Sequence, residues 1–401
     1  MNTLKFGNSE WYGSEGNILA YNDEGGNFKP LLFDFSRGSI ATRVNQQGLI
    51  ETVQPNDARV DYLNNANGAL KLEPTRTNLI TYSEAFDNSY WTKSGASVTS
   101  GFVSPDGTNN AFKLVEDTST GIHQLTRSIT NTVANQYSIS VFVKENTRNW
   151  IRLSSGDGGY VFFNISDNTI GIQTNAVGVI EDIGNGWKRC KITFTAAGTN
   201  GSATLRIAES DGVVSYVGQN KSVYVYAMQY EQGSYATSYI PTQGTAQTRL
   251  ADSCTQTVPD GVIGQTEGTL FLDFEKQHNA VEVWSINDDT VSNRVYLGFN
   301  GSNFISQVRS SGGSSQAFFS TPINNDTRYK CAIAYKQNDF VLYINGVQIG
   351  TDNSGVVPLN MSKLSAYSSN SSDAPFFSPT NEVKLYNTRL SNSELAALTQ
   401  V

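Results

Sequence analysis

Apolar and polar residues alternate with a period of two along much of the chain, which is the pattern of β-strands with one buried face. The run at 268–275 is a clear example. Asn345-Gly346 stands between two β-rich runs and predicts a tight type I′ hairpin. A helical period is found at 391–398, where we expect a short helix capped by Ser391 or Ser393.

Composition agrees with this pattern. Gly, Asn, Ser and Thr are abundant, Tyr and Phe are plentiful, and long runs of helix-favouring residues are absent. At 401 residues the chain is too long for one ordinary core and suits two or three domains. We therefore expect an all-β protein with an N-terminal segment followed by two β-sandwiches.

The sequence divides into four parts. Residues 1–80 hold apolar islands in a Gly- and Asn-rich background, which is typical of an attachment or assembly segment. Residues 81–242 carry regular short strands and frequent turns, which predict a jelly-roll sandwich. Turn-forming Pro and Gly residues mark 243–266 as a linker. Residues 267–401 predict a second sandwich that ends in the short helix.

Two similar segments flank the predicted jelly roll. Gly-Ser-Ile-Ala-Thr-Arg-Val at 38–44 precedes it, and Gly-Thr-Ala-Gln-Thr-Arg-Leu at 244–250 follows it. We expect two arms at the same end of the jelly roll that pair or lie adjacent. A coincidence of common turn residues is the alternative.

Charge and cysteine content exclude several classes of partner and site. The formal net charge is −8 and the pI is near 4.9, so we expect no nucleic-acid partner. No stretch is apolar for long enough to span a bilayer, and residues 1–30 lack the apolar region of a secretion signal. Cys190, Cys254 and Cys331 are far apart, so each is expected to pack as a small apolar residue.

The C-terminal part has a recognisable order of elements. A strand, the Asn-Gly hairpin, a further strand and a small terminal helix follow one another over 267–401. This order resembles the laminin-G/concanavalin-like lectin domains. The resemblance implies a domain that binds ligands rather than one that catalyses.

A second resemblance covers about 31–255. Ala-Thr-Arg-Val-Asn-Gln-Gln-Gly-Leu-Ile-Glu at 41–51, Arg-Val-Asp-Tyr at 59–62 and Leu-Glu-Pro-Thr-Arg-Thr-Asn-Leu at 72–79 occur in this order. They are similar to a segment of bacteriophage tail and head fibre proteins that precedes a carbohydrate-module-like jelly roll. From the residues themselves, a hairpin turn at 45–48 and bends are the expected roles.

The fibre resemblance implies several properties of the whole protein. It implies a homotrimer on the virion surface, made in the host cytoplasm and attached to other virion proteins through the N-terminal segment. It also implies contact with host surface polysaccharide. Adhesion is therefore the favoured function, and a purely structural decoration is one alternative.

The sequence offers few groups for catalysis. It has no nucleophile elbow, Walker loop or zinc-protease motif, and His123 and His278 are predicted as solvated surface residues. Four pairs of acids could in principle flank a glycosidic bond: Glu145 with Asp157, Glu181 with Asp182, Glu209 with Glu231, and Asp288 with Asp289. Solvated loop acids are the better interpretation, so we expect no enzyme. A glycan depolymerase or glycosidase on the same folds is the other alternative.

A structural calcium ion is a weaker expectation. Both resemblances imply it, because such domains often carry an ion. Asp87, Gln229 and Glu231 lie near the ends of the predicted jelly roll and are the candidate ligands, although the family pattern is incomplete. No other cofactor is expected.

A sugar site needs an aromatic platform beside planar polar groups, because sugars present apolar C–H faces and hydroxyl edges. Trp150 is flanked by Arg148 and Arg152, and Tyr160 and Asn164 lie on the next predicted strand. We expect one sheet face to gather these five side chains as a ligand-binding site. Core packing of Trp150 is an equally good alternative.

Overall fold

The computed structural model describes residues 2–5, 18–22, 28–32, 34–310, 312–369 and 374–401, with side chains from Phe35 onward. These residues form 34 strands and one helix, which confirms the all-β fold class. No helix among them has the length and apolar character needed to cross a bilayer.

The strands are short and follow one another in quick succession. In chain order the first seventeen are β1 (Asn2–Lys5), β2 (Ile18–Asn22), β3 (Phe28–Leu32), β4 (Asp34–Ser36), β5 (Ala41–Val44), β6 (Ile50–Val53), β7 (Val60–Asp61), β8 (Ala69–Leu70), β9 (Arg76–Asn78), β10 (Thr92–Ser94), β11 (Ala96–Phe102), β12 (Ala111–Glu116), β13 (Thr120–Thr130), β14 (Gln136–Glu145), β15 (Trp150–Ser154), β16 (Tyr160–Asn164) and β17 (Thr169–Thr174). The others are β18 (Val177–Gly184), β19 (Trp187–Thr195), β20 (Asn200–Ala208), β21 (Ser215–Val217), β22 (Ser222–Gln232), β23 (Gln247–Arg249), β24 (Ser253–Thr257), β25 (Glu267–Lys276), β26 (Val281–Asn287), β27 (Arg294–Asn300), β28 (Asn303–Ser310), β29 (Ser314–Pro322), β30 (Thr327–Lys336), β31 (Asp339–Ile344), β32 (Val347–Asp352), β33 (Lys363–Ser365) and β34 (Thr380–Tyr386). The helix is α1 (Asn392–Leu398).

The chain forms two compact units that are each discontinuous in sequence. The first unit comprises 1–38, 53–74 and 251–401, and the second comprises 39–52 and 75–250. The sequence analysis divides the chain into four consecutive parts. In the structure, the predicted attachment segment 1–80 and the predicted linker 243–266 both supply strands to the sheets of these units. In the first unit β4 pairs with β24 and β8 with β34, and in the second β9 pairs with β23. Strands this short satisfy their backbone groups by joining a neighbour's sheet instead of standing alone.

The first unit is a sandwich of two antiparallel sheets. One sheet has the order β32-β31-β30-β25-β34-β8-β7, with β1 also on β34, and the other has the order β29-β28-β27-β26-β33-β24-β4. Trp284, Phe274 and Phe299 are fully buried between them, as are most of their apolar neighbours. The predicted hairpin is confirmed, because Asn345 and Gly346 connect β31 to β32 with φ values of 48° and 81°.

The C-terminal helix changes the environment of β25. The alternating pattern predicts one exposed face on this strand, but Phe271 on that face is 1% exposed. Leu395 of α1 packs on it together with Tyr343, so both faces of the strand are buried. Ser391 is the N-cap of the predicted helix, and Ser391 and Glu394 form a capping box.

The second unit is also a sandwich of two antiparallel sheets, as the sequence predicts. A six-stranded sheet has the order β11-β12-β22-β14-β19-β18, and a seven-stranded sheet has the order β10-β13-β20-β15-β16-β17 with β21 on β13. Trp91 and Trp187 are buried, each 2% exposed. The three cysteines of the chain are buried and free, so they pack as apolar residues.

A buried network of charges lies within the first unit. The Arg59 guanidinium donates to Asp252 and, at 2.6 Å, to Glu73 Oε2. The second carboxylate oxygen of Asp252 accepts a bond of 3.0 Å from Arg37 Nη1. Arg37 also donates to the backbone oxygen of Gln54 at 2.6 Å. Burial disfavours the charged guanidinium, but the two carboxylates outweigh it and raise the pKa of Arg59.

We expect Asp252→Asn to lower the free energy of unfolding of the first unit by about 3–5 kcal/mol, because two buried guanidinium groups lose one of their counter-charges. Urea denaturation followed by circular dichroism measures the change. Glu267→Gln is the matched control, since Glu267 pairs with Lys336 at 2.9 Å on the surface and its loss costs under about 1 kcal/mol. An Asp252→Asn variant as stable as the native chain would contradict the role given to this network.

Candidate functional site

The register of two neighbouring strands places the predicted binding residues. β15 pairs with β16 so that Trp150 lies opposite Asn164 and Ser154 opposite Tyr160. Ile151 and Leu153, the alternate residues of β15, belong to the core between the sheets. Successive side chains of a strand point to opposite faces. Trp150, Arg152, Tyr160 and Asn164 therefore share the outer face of the seven-stranded sheet.

Three of the five predicted residues are partly exposed on this face, namely Trp150, Arg152 and Tyr160. The guanidinium of Arg152 stacks on the Tyr160 ring, 4.1 Å from its centroid, and lies 5.8 Å from that of Phe162. Its Nε donates to Ser154 Oγ at 3.0 Å. Cation–π stacking and this hydrogen bond hold a cation in a fixed place beside the Trp150 indole.

Arg148 has a different environment from the other predicted residues. It is 7% exposed and donates to both carboxylate oxygens of Glu116, from Nε at 3.1 Å and from Nη2 at 3.0 Å. Tyr216 donates its hydroxyl to the same carboxylate at 2.6 Å. Burial raises the pKa of Glu116, but these donors outweigh burial and lower it below its usual range. Arg148 is thus part of a buried ion pair.

Asn164 lies on the binding face but its amide is engaged in the adjacent turn. Its Nδ2 donates to Asp167 Oδ2 at 3.1 Å, and its Oδ1 accepts from the backbone of Ser166 at 3.1 Å. The side chain is 9% exposed. These two hydrogen bonds fix the turn that follows β16.

The structure adds Arg206 to the face, which sequence reasoning missed. Arg206 of β20 lies directly opposite Arg152 and donates from Nε to Gln124 Oε1 at 2.7 Å. The alternation of β20 points Arg206 outward, but the sequence gives no signal that β20 neighbours β15. Burial lowers the pKa of Arg206, and burial together with the charge of Arg206 lowers that of Arg152.

The candidate calcium ligands lie in two different places. Gln229 and Glu231 belong to a buried network in which Glu231 accepts from Gln229 Nε2 at 3.0 Å and from Thr237 Oγ1 at 2.7 Å. Asp87 lines a cleft. Within the described part of the chain, no three His, Cys, Asp or Glu side chains form a group that could hold a metal ion.

Both histidines are buried, so the prediction of solvated surface histidines was wrong. His123 Nδ1 lies 2.6 Å from the backbone oxygen of Gly95, and His278 Nε2 lies 3.0 Å from Glu282 Oε1. Gly95, the partner of His123, is 28 positions away in sequence. Glu282, the partner of His278, is four positions away.

Two of the predicted acids are engaged in ion pairs along β18 and β19. Asp182 Oδ2 lies 2.5 Å from Lys188 Nζ, and Glu181 pairs with Lys191. Adjacent residues of a strand face opposite ways, so these two carboxylates do not converge on one point.

A half-open cleft of about 800 Å³ lies elsewhere in the second unit. Its lining includes both predicted arms, through Ser39 to Ala41 and through Gln247 and Thr248. The backbone nitrogen of Leu250 donates to Ser39 Oγ at 2.9 Å, which confirms that the arms lie adjacent. They do not pair with each other, because each forms a ladder with another strand.

Acids give the cleft its charge. Glu84 and Asp87 line it, and no Lys, Arg or His does so among the described residues. Glu84 Oε1 accepts from Tyr239 Oη at 2.8 Å and from Tyr226 Oη at 3.2 Å. Burial beside carboxylates raises the pKa of both tyrosines, so their hydroxyls remain donors.

No family model matches the chain, and comparison with curated proteins gives no match. Among solved structures, domain 4 of AbnA, an extracellular GH43 arabinanase from Geobacillus stearothermophilus in complex with arabinotriose, is 16% identical. The match covers 41% of this chain and 82% of that one, with a TM-score of 0.28.

Two animal proteins are also similar. Domains LG4-5 of the mouse laminin alpha1 chain are 9% identical over 67% of this chain and 86% of that one, with a TM-score of 0.26. The full extracellular region of zebrafish Gpr126/Adgrg6 is 9% identical over 76% and 37%, with a TM-score of 0.25.

We expect Arg148→Gln to destabilise the second unit by about 3–5 kcal/mol, because Glu116 remains buried without its counter-charge. Ligand affinity of the folded variant should stay within about twofold of the native value. Urea denaturation and calorimetric titration measure the two quantities. Lys113→Gln is the control, since this cation stacks on Phe102 at 5.3 Å on the other sheet and its removal costs under about 1 kcal/mol.

The ion pair of Arg148 and Glu116 makes a pH-dependent contribution to the stability of the second unit. Since the folded-state pKa of Glu116 is lowered, its stabilisation is complete above the unfolded pKa of about 4.3 and is lost as the pH falls through the folded value. Glu116→Gln should flatten this acid limb of the stability curve.

An Arg148→Gln variant of native stability that fails to bind would contradict the structural role given to Arg148 and would place it in the ligand site.

Proposed function

We propose that this chain is a virion fibre protein of a bacteriophage and that its second unit holds host surface glycans on the outer face of the seven-stranded sheet. The observation that carries the adhesive part is the gathering of Trp150, Arg152 and Tyr160 on one face, outside the core. An indole beside fixed polar groups is the combination that sugar rings require. The virion part is supported by the fibre-like segments at 41–51, 59–62 and 72–79.

The composition of this face favours binding over hydrolysis. Glycoside hydrolysis needs two carboxyl groups on either side of the scissile bond. The seven strands of the sheet, all within the described residues, contain no Asp and no Glu. The strand residues of β15, β16 and β20 therefore offer a glycan donors and aromatic rings, but no acid pair.

Position in the sheet favours the same function. β15 is hydrogen-bonded on one side to β20 and on the other to β16. Side chains on such a strand have little freedom to lose when a ligand is bound. Single-site affinity for a sugar is expected to be micromolar or weaker, and several copies on one particle would raise it through avidity.

We expect Trp150→Ala to weaken glycan binding by about tenfold or more, because the apolar face of the sugar loses its platform. Glycan-array binding followed by titration with the best glycan measures the change. Tyr224→Ala is the matched control, since Tyr224 is a partly exposed aromatic residue on the opposite sheet, with its ring centroid 4.9 Å from that of Phe102. Equal affinity of the Trp150→Ala variant and the native chain would exclude this face as the site.

Antibodies raised against the second unit should label the outside of phage particles in electron micrographs, and particles lacking the protein should adsorb more slowly to host cells. Labelled particles with undiminished adsorption would indicate a structural decoration instead. Shortened polysaccharide chains after incubation with the purified protein would indicate the depolymerase alternative. Absence of the protein from purified wild-type particles would exclude the virion assignment.

A further inference from the structure

The seven-stranded sheet of the second unit has a charge opposite to that of the chain. The whole protein has a formal net charge of −8, with 28 Lys and Arg against 36 Asp and Glu. The strands of this sheet hold four cations, Lys93, Arg127, Arg152 and Arg206, and no acid. Arg152 and Arg206 lie on the outer face, whereas Lys93 and Arg127 share the register of core residues on the inner face. Two like charges on the outer face raise the local concentration of oppositely charged ligands there.

Two of these cations face each other directly. Arg152 and Arg206 are partners in the register of β15 and β20. Both are partly buried, and each is held by a neutral group, Arg152 by Ser154 and Arg206 by Gln124. In the described part of the chain neither forms a salt bridge, although most other arginines there do so or bond to backbone oxygens.

This arrangement is unfavourable without a ligand. Like charges directly opposite each other on neighbouring strands destabilise a sheet. Partial burial adds a desolvation cost to both guanidinium groups, and the pKa of each is lowered accordingly. An anion between them would offset the repulsion and supply the missing acceptors.

We propose that Arg152 and Arg206 together bind the carboxylate of an acidic sugar, so that the glycan held on this face is a polysaccharide containing uronic or similar acids. This inference rests on the adhesive function proposed above and names its ligand class. A guanidinium fork matches the plane and spacing of a carboxylate. In a uronic acid the carboxylate is attached to a ring, and the C–H face of that ring can lie on the neighbouring Trp150.

Ring stacking favours a sugar carboxylate over a glycerol phosphate polymer. A phosphodiester and a uronate each carry one negative charge, so charge alone does not separate the two classes. The aromatic residues beside the arginine pair need a ring to stack on, which a glycerol phosphate chain lacks.

The test uses the full chain and a panel of acidic polysaccharide fragments with different uronic acids, each paired with its carboxyl-reduced counterpart. Calorimetric titration at two salt concentrations gives both affinities. For at least one pair, we expect the acidic form to bind about tenfold more tightly, with a preference that shrinks at higher salt. Arg152→Gln and Arg206→Gln should each reduce this preference, and the double variant should abolish it.

Lys113→Gln removes one stacked cation from the opposite sheet and should keep the preference, and thermal melts confirm that each variant is folded. Equal binding of acidic and reduced fragments would overturn this inference and leave the adhesive function in place. Tighter binding of a glycerol phosphate polymer would overturn the carboxylate assignment. Binding of no glycan, acidic or neutral, would overturn both proposals.

Discussion

The first unit depends on burying four charged side chains that all find partners. Asp252 directly precedes β24, and Arg37 directly follows β4, the strand that pairs with β24. Arg59 joins them, and the backbone nitrogen of Glu73 donates to the same Asp252 carboxylate at 2.7 Å. Removing one partner leaves a desolvated charge, so the four residues have to be present together. The first unit is built from three chain segments, 1–38, 53–74 and 251–401. The network takes Arg37 from the first segment, Arg59 and Glu73 from the second and Asp252 from the third, so it joins all three.

This constraint gives a physical account of the fibre-like segments. Arg59 begins the Arg-Val-Asp-Tyr run and Glu73 lies in the Leu-Glu-Pro run, and both belong to the buried network. Asp61 of the first run pairs with Lys71 at 3.1 Å. In the second unit Asn78 donates to the backbone oxygen of Ile240 at 2.9 Å, at the expected bend. The residues behind this resemblance are thus structural in both units, and the proposed adhesive site consists of other residues.

How much could be predicted depended on the distance in sequence between interacting residues. The Asn345-Gly346 hairpin and the Ser391 cap are local, because turn geometry and capping involve residues within four positions of each other. Neighbours within a sheet are not local: β20 pairs with β15 only after four intervening strands and their turns. Arg206 was therefore missed, and Arg148 was assigned to the site although Glu116, 32 positions away, holds it. The burial of His123 depends in the same way on Gly95 and on Tyr216 of β21, which are 28 and 93 positions away.

The outer faces of the sheets differ in how far other segments of the chain cover them, and a ligand can contact only an uncovered face. In the first unit α1 covers part of the outer face of the eight-stranded sheet. In the second unit the outer face of the six-stranded sheet is covered in part by the segment around Thr237 and Tyr239, to which Arg189 donates at 2.6 Å. The seven-stranded sheet differs, since its central strand presents a partly exposed indole and guanidinium. A ligand bound there, as we propose, would meet side chains whose backbone is bonded on both sides, so the geometry of the site would be set before the ligand arrives. Polar loop tips offer similar groups, but they would have to be ordered on binding, which lowers the affinity obtained from the same contacts.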